Sequence, residues 1–428
     1  MLALVLIFEV FSIFVFVTCS KRVFSQPRSN YKMATASSVE ITGAVTKLPL
    51  TSLSSADPMM TFIGASFTPD GDYYAVASAK GPVYVVPTAP GGHDHRQHIW
   101  TFNPTGLSEM VATTCVRFSP ATLAGSEQGE YIAATTVSNG TVHLWSIDGE
   151  KRKSHTLGAA LEEGNETLVA TFSPSGAKLV TAGSDKTVRV YDVNGTTASP
   201  AQSSTQASPS HSQVVPTEEP ESPTSPIKPP APLVLTRSFV CGIDNHGQDT
   251  LGPNNRIFAA HFYDENIFLV GGWETPVLLY DARSPKDAQG VFKGPHVSGN
   301  AIDTKDNLIV VGSDRQSDQI QVFDIRRMGD PVSSATVPTR LFTAKWARST
   351  NEKESAALNK AAGVWCAGSE NNAIHCVSVE HGGAPIVPSQ SDLSANVYNI
   401  HMNPARPEYV MASGAHGFIE HFAVQYKL

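Results

Sequence analysis

The feature that most constrains this chain is a three-strand unit at Thr167–Asp192, TLVATFSPSGAKLVTAGSDKTVRVYD, because the rest of the sequence reads as looser copies of it. Residues 167–172 form a β run rich in Thr, Val and Phe, which Ser173-Pro174-Ser175-Gly176 breaks as a tight turn. Lys178–Ala182 follows, ends in a second turn at Gly183-Ser184-Asp185-Lys186, and leads into the β-branched run Thr187–Tyr191. Three short antiparallel strands joined by tight hairpins cannot bury both faces alone. Such a unit needs neighbours on either side, and a chain solves that by repeating it.

Further copies stand at Phe62–Val86, Thr113–Ile147, Asn255–Ala282, Gly299–Ile325, Arg340–Val379 and Asn396–Val424, seven in all, each preceded by a short fourth strand. The second carries an insertion at Ala121–Gln128 and the sixth another at Arg348–Ala361. A charged fraction of only 16 %, with 32 Gly and 29 Pro, suits many short strands separated by turns.

Gly183-Ser184-Asp185 with Tyr191-Asp192, Gly272-Trp273-Glu274 with Tyr280-Asp281, and Gly312-Ser313-Asp314 with Phe323-Asp324 resemble the marks of the WD40-repeat β-propeller family, over residues 39–428. No Trp-Asp dipeptide occurs, and the one Gly-His, Gly92-His93, falls away from the start of a first strand. The family's Asp–His–Ser/Thr–Trp hydrogen-bond network is therefore incomplete in the sequence. The resemblance implies an all-β fold: a seven-bladed WD40-like β-propeller with a disordered insertion between the third and fourth repeats. It also implies closure by strand exchange, with residues 39–50, VEITGAVTKLPL, supplying an outer strand beside Gly417–Val424. An open ring would leave two uncovered blade faces and a free sheet edge.

Two segments stand outside the repeats. Residues 1–32 form an apolar leader. Its run at 2–19 has the length of a membrane span or signal but carries Glu9, and Met33 reads as an alternative start. Residues 195–232 are Pro/Ser/Thr-rich and lack core-forming side chains, so disorder is expected, with Ser199, Ser208, Ser222 and Ser225 before prolines as phosphorylation points.

A net charge of −8 provides no basic footprint for nucleic acid, and no direct nucleic-acid partner is expected. Five scattered cysteines show neither metal spacing nor a disulfide framework. His93-Asp94-His95-Arg96-Gln97-His98 reads as a solvated polar loop rather than a metal site, and no phosphate-binding, zinc-protease or nucleophile motif is present. The expectation is thus no catalytic residue, no metal and no cofactor.

In the resembled family, loops before first strands and the second hairpin turns share the narrow face around a central channel. Those positions here are Lys80, Asn139, Asp185, Lys186, Trp273, Glu274, Arg315, Glu370 and His416, with Asn245 and His246 from the insertion 241–254. An aromatic beside alternating charges suits protein binding. The expected function is a non-enzymatic scaffold binding proteins or peptides as a subunit of a larger complex, in the cytoplasm or nucleus. The alternatives are a membrane-tethered adaptor anchored by residues 2–19, and an enzyme or small-ligand propeller using the channel.

Overall fold

The computed structural model describes residues 40–48, 60–88, 99–105, 111–120, 129–193, 233–241, 255–273, 275–285, 287–391 and 393–428. Among them the strands form seven four-stranded antiparallel sheets; in six of these the fourth, outer strand follows its sequence copy rather than preceding it as expected, and in the seventh it is supplied by the N-terminal strand. The seven inner strands touch one another in succession, and that of blade 7 returns to that of blade 1. The chain is a closed seven-bladed β-propeller. Its apolar cores lie between consecutive blades: Val180, Val190 and Phe239 of blade 3, for example, pack with Phe262, Phe268 and Tyr280 of blade 4.

Closure follows the expected strand exchange. Thr42–Leu48 pairs antiparallel with Ile419–Lys427, from Thr42 opposite Lys427 to Leu48 opposite His421. The contact lies a few residues further along than 417–424 because Ala415–Gly417 is taken up in a turn. Ile41 is fully buried between blades 6 and 7, and Lys47 pairs with Glu420 at 2.7 Å. The insertion in copy six folds into helix α1 (Glu352–Lys360), whose amides at Lys353 and Glu354 are capped by the Asn351 side chain. Leu358 anchors α1 in the same core. The insertion expected to be disordered, the leader, the phosphorylation points, Gly92-His93 with the histidine run, and the insertion at 121–128 all lie outside the described residues. Val193 and Leu233, which flank residues 194–232, face each other in the sheet of blade 3.

The polar network of the resembled family has a substituted counterpart in two blades. In blade 3 the carboxylate of Glu162 is buried and accepts from Asn165 Nδ2 (2.7 Å), Thr167 Oγ1 (2.8 Å), Tyr191 OH (2.9 Å) and the Thr181 hydroxyl, with Arg189 3.6 Å away. Arg189 in turn pairs with Asp185. A buried carboxylate so fully hydrogen-bonded is tolerable where a bare one is not. In blade 2, Trp145 Nε1 donates to Thr135 Oγ1 at 2.9 Å, a two-member remnant of the network. Gly183 has a steric reason to be glycine: a Cβ there would stand 2.0 Å from the Glu166 carbonyl oxygen.

One irregularity positions the site. In blades 1, 2, 3, 4, 6 and 7 the inner strand carries a β-bulge at its second residue, seen as a register shift such as Ile257/Ala259 or Leu341/Thr343. A bulge adds a residue and re-aims the side chains after it. The second and fifth residues, which strict alternation would put on opposite faces, therefore share the channel side. Their partial exposure at Leu168 and Thr171, and at Phe258 and His261, records this.

Candidate functional site: the mouth and floor of the central channel

The second residues of the inner strands ring the narrow-face mouth of a cavity of about 480 Å³. They are Ile63, Thr114, Leu168, Phe258, Phe342 and Tyr398, with Asn300 in the corresponding place of blade 5. Two aromatic pairs form part of the wall. Phe258 packs on Trp273 with ring centroids 4.8 Å apart, and Phe342 packs on Tyr398 at 5.3 Å. Blades 1 to 3 contribute small or aliphatic groups instead, among them Gly64, Thr114 and Val169. The mouth is thus lopsided, with aromatic surface on the side of blades 4, 6 and 7.

Charges at the mouth are paired. Arg256 bonds to Glu166, and Arg340 lies 3.6 Å from Glu370 and 3.9 Å from Asp314. Burial raises the Asp314 carboxyl above the usual range, with Arg340 opposing.

The fifth residues form a second ring deeper in the channel: Ser66, Arg117, Thr171, His261, Lys345 and His401, with Asp303 of blade 5 opposite Val310 as His261 is opposite Leu269. His261 Nε2 of blade 4 lies 3.7 Å from Asp303 Oδ1 of blade 5, and the charged members act on one another across the ring. Arg117 of blade 2 depresses the proton affinity of His261, Lys345 and His401 in blades 4, 6 and 7. For all three the larger cause is burial, which pushes His261 down to about 4 and Lys345 down to about 8. Near pH 7 both histidines are neutral and Lys345 keeps its proton. Burial alone would raise Asp303, but Arg348, Lys345 and His261 outweigh it and hold the carboxyl below its ordinary value. Asp303 accepts from the amides of Trp346 (2.9 Å) and Thr304 (3.0 Å) and from Arg348 (3.4 Å). Lys345 Nζ donates to Asn300 Oδ1 at 3.2 Å and to the Ile302 carbonyl at 2.9 Å. Among the described residues no group of three or more His, Cys, Asp or Glu could hold a metal ion.

Residues 166–192 match the sequence model of the WD domain, G-beta repeat. The chain is a seven-bladed β-propeller that carries a WD40 repeat in blade 3. The matched stretch is the unit from which the other six copies were recognised, and it is the blade whose turn Asp185 and buried Glu162 hold the most complete polar network. No curated protein matches the chain.

Within this propeller the expected site residues separate into two groups. Trp273 and Glu370 line the cavity. Trp273 is half-buried against Phe258. Lys80, Asn139, Asp185, Lys186, Arg315 and His416 occupy the same class of turn but do not line the cavity. Several serve the turns themselves: Asn139 Oδ1 accepts from Thr141 N at 3.0 Å, Asp185 Oδ1 from Thr187 N at 2.9 Å, and Arg315 donates to the Gly294 carbonyl at 3.0 Å. Asn245, His246 and Glu274 lie outside the described residues.

Sequence reasoning missed Phe258, Phe342, Tyr398, Arg117, Arg256 and Arg340. An available signal was the aromatic at one position past the start of the inner strand in copies four, six and seven. Turn positions drew attention instead, because turns announce themselves by Gly, Asn and Asp.

Proposed function

We propose that this propeller is a non-enzymatic scaffold that binds a segment of another protein across its narrow face, seating a side chain in the cavity. The observation that carries this reading is the pair of aromatic contacts, Phe258 on Trp273 and Phe342 on Tyr398, at the mouth of a 480 Å³ opening. Large rigid aromatic surfaces dominate binding energy where they are shielded from water, and paired charges around them set register. Rim pairs Arg340–Glu370 and Arg256–Glu166 supply such charges. The assembly would be a multiprotein complex of the cytoplasm or nucleus, with the propeller contributing no chemistry of its own.

Affinity purification from cells expressing the full chain tests this, beside Trp273→Ala and Phe342→Ala forms. The expected outcome is a stoichiometric partner whose recovery falls at least tenfold in both variants, with melting temperatures within a few degrees of the parent. Equal recovery in parent and variants would remove the narrow face as the working surface.

A further inference from the structure

The two rings of the channel differ in chemistry, and the deeper one is short of negative charge. Two groups that are cationic near pH 7, Arg117 and Lys345, and two neutral histidines share it with one carboxylate, Asp303, whose oxygens are already occupied by Trp346 N, Thr304 N and Arg348. Among the described residues Arg117 has no carboxylate partner. Its Nη1 donates only to the carbonyls of Ala65 and Val116, which leaves the other guanidinium donors uncommitted. Arg117 is also the charged member of that ring that lines the cavity. A buried His401 nitrogen, Nε2, likewise lacks a partner there. Arg117 is half-buried, so its spare donors face the channel and are open to an acceptor that enters it.

We propose that the channel floor is an oxyanion site, in which Arg117 receives a carboxylate or phosphate group that enters past the aromatic mouth. The acids at the mouth do not compete, since Asp314 and Glu370 are held by Arg340, and Glu166 by Arg256. A guanidinium is suited to this by its planar fork, which accepts two oxygens at once. The floor lies roughly 10 Å below the mouth, three strand residues at about 3.3 Å each. An anion borne on a compact apolar body would therefore satisfy both rings together: ring contacts above, charge below. Small-ligand sites of about 300–1,000 Å³ are built on this plan, with apolar walls and few polar anchors.

The proposal shares only the open mouth with the scaffold reading. Calorimetric titration of the full chain with phenylacetate, phenylacetamide, phenyl phosphate and inorganic phosphate tests it. Phenylacetate is expected to bind at least tenfold more tightly than its neutral amide. That preference should shrink below threefold in Arg117→Gln and survive in Arg117→Lys. Inorganic phosphate binding within threefold of phenyl phosphate would assign the site to a free anion; a much tighter phenyl phosphate would assign it to an anion on an apolar carrier. If Arg117→Gln does not fold, the parent decides alone, since affinity for phenylacetate but not for phenylacetamide must fall as ionic strength rises. Equal affinity for acid and amide, a preference that persists in Arg117→Gln, or no binding of any probe at about 10 mM overturns the oxyanion site. The scaffold reading fails by a different result, unchanged partner recovery in Trp273→Ala.

Discussion

The mouth ring and the floor ring stand on the same seven inner strands, three residues apart, yet they are made of different matter. The mouth is Ile63, Thr114, Leu168, Phe258, Asn300, Phe342 and Tyr398; the floor is Ser66, Arg117, Thr171, His261, Asp303, Lys345 and His401. What separates them is charge. Mouth residues are mostly apolar or aromatic and lie where a partner can cover them, while the floor carries the charges, with Asp303 and Lys345 buried and Arg117, His261 and His401 half-buried. The comparison teaches that a mutation at the mouth should be read in binding and one at the floor in folding, with Arg117 as the exception that reaches both.

The sharpest way to break that division is Asp303→Ala set against Leu168→Ala. Removing the carboxylate strips the Trp346 and Thr304 amides of an acceptor and leaves Lys345 and Arg348 without a countercharge. Breaking one partner out of such a buried set costs about 3 kcal/mol or more. Leu168 is half-buried at the mouth, and truncating it should cost about 1 kcal/mol. Urea midpoints of the two variants measure both. Comparable losses would mean that mouth and floor are equally structural.

A smaller effect comes from the histidines. His261 and His401 at the floor, and His143 and His375 elsewhere, all have their proton affinity lowered by burial. The unfolded chain takes up these protons near pH 6.5 and the folded chain does not, so stability is full above that pH and falls as the solution is acidified. Each fully shielded histidine adds a slope of about 1.4 kcal/mol per pH unit between its two pKa values. For His261 that window runs from 6.5 down to about 4, with the slope reduced because its side chain keeps 28 % of its surface at the channel. His261→Gln and His401→Gln should each flatten the pH dependence of the urea midpoint between pH 4 and 6.5. An unchanged profile in both would take the histidines out of the floor's electrostatics.

These two rings also mark where the sequence stops being legible. The blades could be read because each hairpin turn announces itself, as Ser173-Pro174-Ser175-Gly176 and Asn139-Gly140 do. Closure could be read because an open ring has a free edge, and Thr42–Leu48 lies opposite Ile419–Lys427 as that argument requires. The channel lining could not be read, because a bulge at residues such as Ile63 and Phe342 breaks the period of two on which any face assignment depends. Asp303 belongs to the floor through its register opposite Val310, in a strand too short to display the pattern at all. Glu162 escaped notice for a chemical reason: it does with a carboxylate what the resembled family does with histidine, so a search for Gly-His passes over it.

The smallest expected effect is at Thr171, a floor position with a hydroxyl and no charge. If the floor is defined by its charges, Thr171→Val removes a polar atom from the ring without disturbing Arg117, Lys345 or Asp303. The volume is conserved, and Thr171 keeps contact with the channel rather than being fully enclosed, so its hydroxyl can be lost at small cost. The urea midpoint should move by less than about 0.5 kcal/mol, and the preference for phenylacetate over phenylacetamide should be unchanged. A loss above about 1.5 kcal/mol would mean that the floor works as a continuous hydrogen-bonded ring, in which every member counts and no single guanidinium is left over for a ligand.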